Sequence, residues 1–367
     1  MSPQTEVQLL AVLVAVACAL PGVFLVLRRT AMVSDAISHT IIFGIVVVYL
    51  ITRDIASPLL LVGATLTGVL TVWLVEVLTS TRRVKEDAAI GLVFPFLFSL
   101  AVILISRFAG NAHLDNDAVL LGEIAFAPFD RLALFGFDLP RAVWVMSGIL
   151  LVNLLFIGLF YKELQLTTFD AALAAALGFS PALLHYSLMT MVSLTAVGAF
   201  DAVGAILVIA LMIAPPATAY LLTDRLPVML GLSMLIGALS AIAGYWLART
   251  IDTNISAAMA TMVGVTFVLA FILAPQRGII AVIIRQKRQR WIFAQQTLTM
   301  HLMQHEGRLE EASESQIEHL SRHMQWAPAF AAQVVRRAEQ ARLVRRDGER
   351  LHLTEQGRAV AAEAFTR

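Results

Sequence analysis

The chain has 367 residues, 59% of them hydrophobic and only 14% charged, with a mean hydropathy of +0.79. A soluble domain carries about 25% charge, so this composition excludes an ordinary soluble globular protein and points to a polytopic membrane protein. The formal net charge of +1 gives no footprint for a nucleic-acid partner, and a single cysteine, Cys18, excludes an intrachain disulfide or a thiolate metal cluster.

A membrane helix needs roughly 20 apolar residues, and runs of that kind fall near 7–27, 33–51, 56–79, 88–106, 141–160, 183–199, 201–223, 227–249 and 255–274. That predicts nine spans, or eight if the short sixth run merges with its neighbour. The first run follows Glu6 and precedes Arg28-Arg29; a cleaved signal peptide has its positive charge in front, so this run is expected to stay as a membrane helix. Basic residues favour cytoplasmic loops. Arg28-Arg29, the cluster Arg82-Arg83-Val84-Lys85 and the tail Arg285 to Arg290 fall on one side if nine spans are counted. The N-terminus is then outside, the C-terminus cytoplasmic, 107–140 outward and 161–182 inward.

The second run opens with Met32-Val33-Ser34-Asp35-Ala36-Ile37-Ser38-His39. A carboxylate and an imidazole four residues apart share a helix face, with Cβ atoms about 5–6 Å apart, close enough for one ion to bridge. Ionisable groups in a membrane helix usually mark a pathway. Asp and His donors suit Zn²⁺, Mn²⁺ or Fe²⁺, and two ligands leave a site loose enough for the ion to depart. The same residues also fit plainer roles: a hydrogen bond to one another, a helix cap, or a salt bridge from Asp35 to Arg29.

Further along, Tyr161 to Gly178 reads as a short amphipathic helix on the predicted cytoplasmic side, with Gly178 placed as its C-cap. It is either a surface helix or a coupling helix that docks on an ATP-hydrolysing partner. Pro215-Pro216 sits mid-membrane in the run from Gly204 to Ala219, where proline breaks the helical ladder; the kink either lines a path or serves packing. Asp201, Asp252 and Asn254 read as interfacial residues, and His113, Asp115 and Asp117 as an outward group that is either merely solvated or able to attract cations. The three lysines, Lys85, Lys162 and Lys287, never follow a glycine. A phosphate-binding P-loop is therefore missing, and with no nucleophile elbow or H-E-x-x-H the chain is not expected to be an enzyme.

Beyond Ala281 the composition turns charged. Residues 285–295 read as a basic linker after a membrane domain over 1–284. Helices are expected near 296–305, 314–323, 328–342 and 355–365, with a hairpin signalled by Asp347-Gly348 between short alternating runs. This is the element order of a small winged-helix domain. The expected fold is thus an all-α polytopic membrane protein of about nine helices plus a small cytoplasmic winged-helix (α+β) domain over 296–367.

Several ordered motifs over residues 5–280 resemble the membrane permease of ABC importers for zinc, manganese or iron, the ABC-3 family. They are Arg28-Arg29 with Val33 to His39, Lys85-Glu86-Asp87-Ala88-Ala89-Ile90-Gly91, Leu120-Leu121-Gly122-Glu123-Ile124, Phe169-Asp170 leading to Ala174 and Gly178, Val203 to Val208, and Pro215-Pro216-Ala217-Thr218-Ala219. The resemblance implies a bacterial inner-membrane permease that dimerises with a second copy or a sister permease. Two separate cytoplasmic ATPases would drive it, and an extracytoplasmic metal-binding protein would deliver the ion. It further implies that Asp35 and His39 coordinate the transported metal, that Phe169, Asp170, Ala174 and Gly178 belong to the coupling helix, and that no cofactor is bound permanently. Ala341 to Arg346 with Leu351 to Arg358 resembles the winged helix of diphtheria-toxin-repressor-type metalloregulators. Arg336, Arg337 and Arg342 would line its recognition helix, yet arginines and acids balance there, which speaks for a dimerisation or regulatory module rather than DNA binding. His301, His305 and His319 are either a metal-sensing group or solvated surface residues. The alternatives are a membrane-anchored metal-responsive transcriptional regulator and a B12- or siderophore-type permease.

Overall fold

The computed structural model describes residues 2–54, 57, 59–108, 122, 124–134, 136–309 and 311–366. His113, Asp115, Asp117 and most of the Leu120–Ile124 motif lie outside the described residues. The chain forms two compact units, Met1–Gly278 and Ile279–Arg367.

The first unit is helical. It contains α1 (Pro3–Arg28), α2 (Met32–Thr52), α3 (Leu59–Ser80), α4 (Glu86–Phe108), a 3₁₀ turn (Ile124–Phe129), the antiparallel hairpin β1 (Arg131–Leu134) and β2 (Phe137–Pro140), α5 (Arg141–Leu159), the short α6 (Tyr161–Phe169) and α7 (Ala171–Ala176), α8 (Pro181–Leu222), α9 (Leu226–Ile251) and α10 (Ile255–Leu273). Eight of these helices are long and apolar enough to cross a membrane. The most apolar stretch of α1 is 72% buried and that of α8 67%, against 22% for α10, so α1 and α8 form the core and the rest surround them. The outer helices expose Trp73, Phe96, Leu155, Leu239 and Trp246. So continuous an apolar surface is stable against lipid, not water.

Eight helices replace the nine expected runs because the sixth and seventh are joined in α8. Its 42 residues would extend about 63 Å at 1.5 Å per residue, twice a hydrocarbon core. The chain instead doubles back at Gly204, whose φ of 76° and ψ of 167° break the helix. That backbone region is essentially open only to glycine. The reversal is visible against α1. His185 lies beside Arg28, Thr195 joins Asn153, which donates to the Ala17 carbonyl, and Met212 then returns to the level of Gly22. A Cβ at Gly22 would collide with the Met212 carbonyl oxygen, so glycine lets the two backbones touch. The break is thus at Gly204, not at the prolines: Pro215 and Pro216 are buried inside the returning arm, Pro216 against Gly22. Counting α8 as two passes, the described residues traverse the bundle nine times.

Caps explain several polar residues. Asp252 adopts a left-handed conformation that ends α9, and the Asn254 side chain accepts from Ala257 N–H at the start of α10. Asp201 is exposed near the reversal.

The second unit contains α11 (Ile279–His305), α12 (Glu311–Glu314), α13 (Ile317–His323), α14 (Pro328–Gln340), the hairpin β3 (Val344–Asp347) and β4 (Arg350–Leu353), and α15 (Glu355–Thr366). The expected helices and hairpin are present, except that the helix expected near 314–323 is divided into α12 and α13. The expected linker 285–295 is instead the middle of the 27-residue α11, because its Arg, Lys and Gln residues are strong helix formers. Leu298, Leu302, Leu320, Val334, Val335, Leu351 and Leu353 form the core of this unit. Arg290 and Arg337 stack on Phe330 and Trp291, an aromatic use for two of its arginines.

Candidate functional site

Asp35 stands in the first turn of α2 and His39 one turn on. His39 Nε2 lies 3.5 Å from Asp35 Oδ1, with 31% and 41% of the side chains exposed. The imidazole sits 5.0 Å from the Phe94 ring of α4. The neighbouring hydroxyls are engaged by their own helix: Ser34 Oγ donates to Ala31 O at 2.8 Å and Ser38 Oγ to Ser34 O at 2.9 Å. The pair is therefore left as the ionisable, half-exposed feature of this turn. Asp35 pairs with His39; no ion pair to Arg29 is present among the described residues.

The pair lies at the end of the bundle where α1 finishes. Here a polar chain links four elements. Arg28 donates from Nε to Thr168 Oγ1 at 3.1 Å and from Nη2 to Thr167 Oγ1 at 3.0 Å, both at the end of α6. Its Nη1 lies 3.4 Å from His185 Nδ1 at the start of α8. His185 Nε2 is 2.8 Å from Glu76 Oε1 of α3, and Tyr186 OH donates to the other Glu76 oxygen. Sequence reading missed Glu76, His185 and Tyr186 altogether. Their signal was weak: one charged or polar group near the end of an otherwise apolar run.

The stretch 161–178 is two helices rather than one. Asp170 breaks it and caps the second, its Oδ1 accepting from Leu173 N–H at 2.8 Å. Gly178, at φ 89°, follows the C-cap Leu177 in the left-handed conformation, and the N–H groups of Gly178 and Phe179 bond to the Ala175 and Ala174 carbonyls. Ala174 is fully buried, whereas Phe169, Leu173 and Leu177 are exposed at 64%, 47% and 61%. These are apolar side chains left open at the surface on either side of the break at Asp170.

At the opposite end, Glu6 is buried and bound by Arg131 of β1 at 3.1 Å, and Arg131 also donates to Asp138 at 2.8 Å. These two carboxylates hold the guanidinium's pKa above its ordinary range.

Residues 4–274 match the ABC 3 transport family. The chain belongs to that family. The zinc transport system membrane protein TroD of Treponema pallidum is 49% identical over 356 residues, covering 97% of both chains. The manganese transport system membrane protein MntD of Bacillus subtilis is also 49% identical, over 73% of this chain and 91% of its own. The structure of PsaBC from Streptococcus pneumoniae in complex with Fab aligns at a TM-score of 0.64 and 27% identity, covering 76% of this chain and 94% of that one. The TroD match reaches into the second unit, so within the ABC 3 family this chain shares its extension with a relative.

Proposed function

We propose that this chain is the permease of an ATP-driven importer for divalent transition-metal ions, Mn²⁺, Zn²⁺ or Fe²⁺. What carries the reading is family membership together with relatives named for zinc and manganese transport. In it, the Asp35 carboxylate and His39 imidazole bind the passing ion. One pair supplies two donors, and two copies related by a two-fold axis supply four, the count a tetrahedral ion takes. Partial exposure and a short donor list suit an ion that must leave.

The end of the bundle bearing Arg28, Arg82, Arg83 and Lys85 faces the cytoplasm in this reading, following the positive-inside rule. There α6 and α7 dock on a separate ATPase. Phe169, Leu173 and Leu177 enter its groove, Asp170 and Gly178 set the two ends of α7, and buried Ala174 seats the helix. Arg28 relays movement from Thr167 and Thr168 to His185 and Glu76. A solute-binding protein delivers metal at the Glu6 end. The second unit is a cytoplasmic domain of winged-helix type with a regulatory or assembly role.

The test is cellular Mn, Zn and Fe content, by elemental mass spectrometry, in cells carrying the whole operon with either the native chain or an Asp35→Ala, His39→Ala variant at matched membrane levels. Loss of accumulation of one metal is expected and names the substrate. Equal contents for all three would sink the assignment of the pair.

A further inference from the structure

Four of the chain's eight histidines converge on one carboxylate in the second unit. His301 and His305 lie one turn apart on α11, Glu314 ends α12, and His319 and His323 lie one turn apart on α13. His301 Nε2 is 3.2 Å from Glu314 Oε2, His319 Nε2 is 3.1 Å from Oε1, and His323 Nδ1 is 4.0 Å from Oε2. The imidazoles also crowd one another, with His301 ring centroids 4.7 Å from His305 and 5.2 Å from His323. Two triads, His301–His305–Glu314 and Glu314–His319–His323, each bring their donor atoms within 4.8 Å of one another.

An ordinary surface cluster does not fit these facts. His301 is buried at 7% exposure and the Glu314 side chain at 13%. Glu314 Oε2 is shut off from solvent yet accepts no well-aligned hydrogen bond, despite His301 being 3.2 Å away, and the buried Ser315 hydroxyl beside it has no partner either. A buried carboxylate oxygen without a donor is costly, and a cation supplies what is missing. Burial, then the nearby His305, lowers the His301 pKa. For Glu314 burial acts upward, but the four imidazoles outweigh it and hold the carboxyl low.

The geometry points to a resident divalent transition-metal site in the second unit, formed by Glu314 with His301, His305, His319 and His323, and taking Zn²⁺ foremost. Imidazole and carboxylate together are borderline donors that suit Zn²⁺ and bind Mn²⁺ more weakly. Donor separations of 3.1–4.0 Å to Glu314 are near the ~3.4 Å that a tetrahedral ion with bonds of about 2.0–2.1 Å imposes. An ion there would clamp the C-terminal turn of α11 to α12 and α13. The site is distinct from the transport pair and stands whether or not the chain imports metal.

The test uses the full chain, purified in detergent, stripped with EDTA and dialysed against Zn²⁺ or Co²⁺. The Asp35→Ala, His39→Ala variant is expected to retain about one Zn²⁺ per chain, held by four of these five donors, and to give the intense visible bands of tetrahedral Co²⁺. Adding His319→Gln and His323→Gln, at the half-buried and exposed positions of the cluster, should remove both signals with helicity unchanged. Should that double change unfold the unit, His323→Gln alone is expected to weaken Zn²⁺ affinity at least roughly tenfold. No Zn²⁺ on the folded Asp35→Ala, His39→Ala protein, or equal Zn²⁺ in the presence and absence of the histidine changes, would overturn the assignment.

Discussion

Asp35 with His39, and Glu314 with its four histidines, use the same donor chemistry in opposite ways. In the membrane unit one carboxylate and one imidazole 3.5 Å apart remain about a third exposed or more. In the second unit one carboxylate is enclosed by imidazoles from two helices, and one of its oxygens is sealed from water. An open, two-donor arrangement binds weakly and releases; an enclosed one with a surplus of donors holds what it binds. The contrast follows from the surroundings. A membrane helix offers few polar neighbours and each one is expensive, whereas the end of the long α11 and the short α12 and α13 bring several titratable groups to a point.

The sharpest way to break the contrast acts on the membrane unit alone. Leu173→Pro removes the N–H that Asp170 caps and should abolish metal-stimulated ATP turnover of the assembled transporter, while leaving Zn²⁺ on the second unit unchanged. Undiminished stimulation of the ATPase would refute the docking role of α7. Arg28→Ala comes next. It strips Thr167, Thr168 and His185 of a shared donor and is expected to lower uptake roughly 10–100-fold, an effect of the size lost when a positioning contact is removed, measured as the initial rate of radioactive metal uptake. Normal uptake would show the relay to be merely structural. Gly204→Ala should destabilise the membrane unit by about 1–3 kcal/mol, because alanine resists that backbone region, and a lowered thermal midpoint in detergent is the readout. A midpoint equal to that of the native chain would mean that the two arms of α8 do not need the reversal. The smallest effect is expected for Arg358→Ala. It removes an exposed ion pair to Glu306, contributing at most about 1 kcal/mol, so uptake should be untouched and the second unit only slightly less stable by denaturant titration.

Much of this molecule can be read residue by residue. The apolar runs predicted every long helix of the membrane unit to within a few residues, since about 20 apolar residues suffice whatever surrounds them. Asp347-Gly348 marked the hairpin, and Gly348 indeed takes φ 64°. Two features escaped. The two passes of α8 did not, since the sixth and seventh apolar runs are already separate near residue 200, although the structure puts the break at Gly204, just after the exposed Asp201. The basic stretch 285–295 looked like a linker because charge was read ahead of helix propensity. Glu314 and His323 were not grouped with His301, His305 and His319, because nothing local says that α13 folds back onto α11.

Composition, apolar run lengths and the short motifs around Asp35, His39 and Asp170 were enough to determine a many-helix membrane protein and the ends of its helices, and to single out Asp35 and His39 as candidate donors. These are local properties, set by hydration and backbone chemistry over a few turns. Only the tertiary structure decided that α8 turns back at Gly204, that Arg28, Glu76, His185 and Tyr186 form one chain of contacts, and that four histidines surround Glu314. Those are convergences of residues up to 157 positions apart, and they exist only once packing has brought separate helices together.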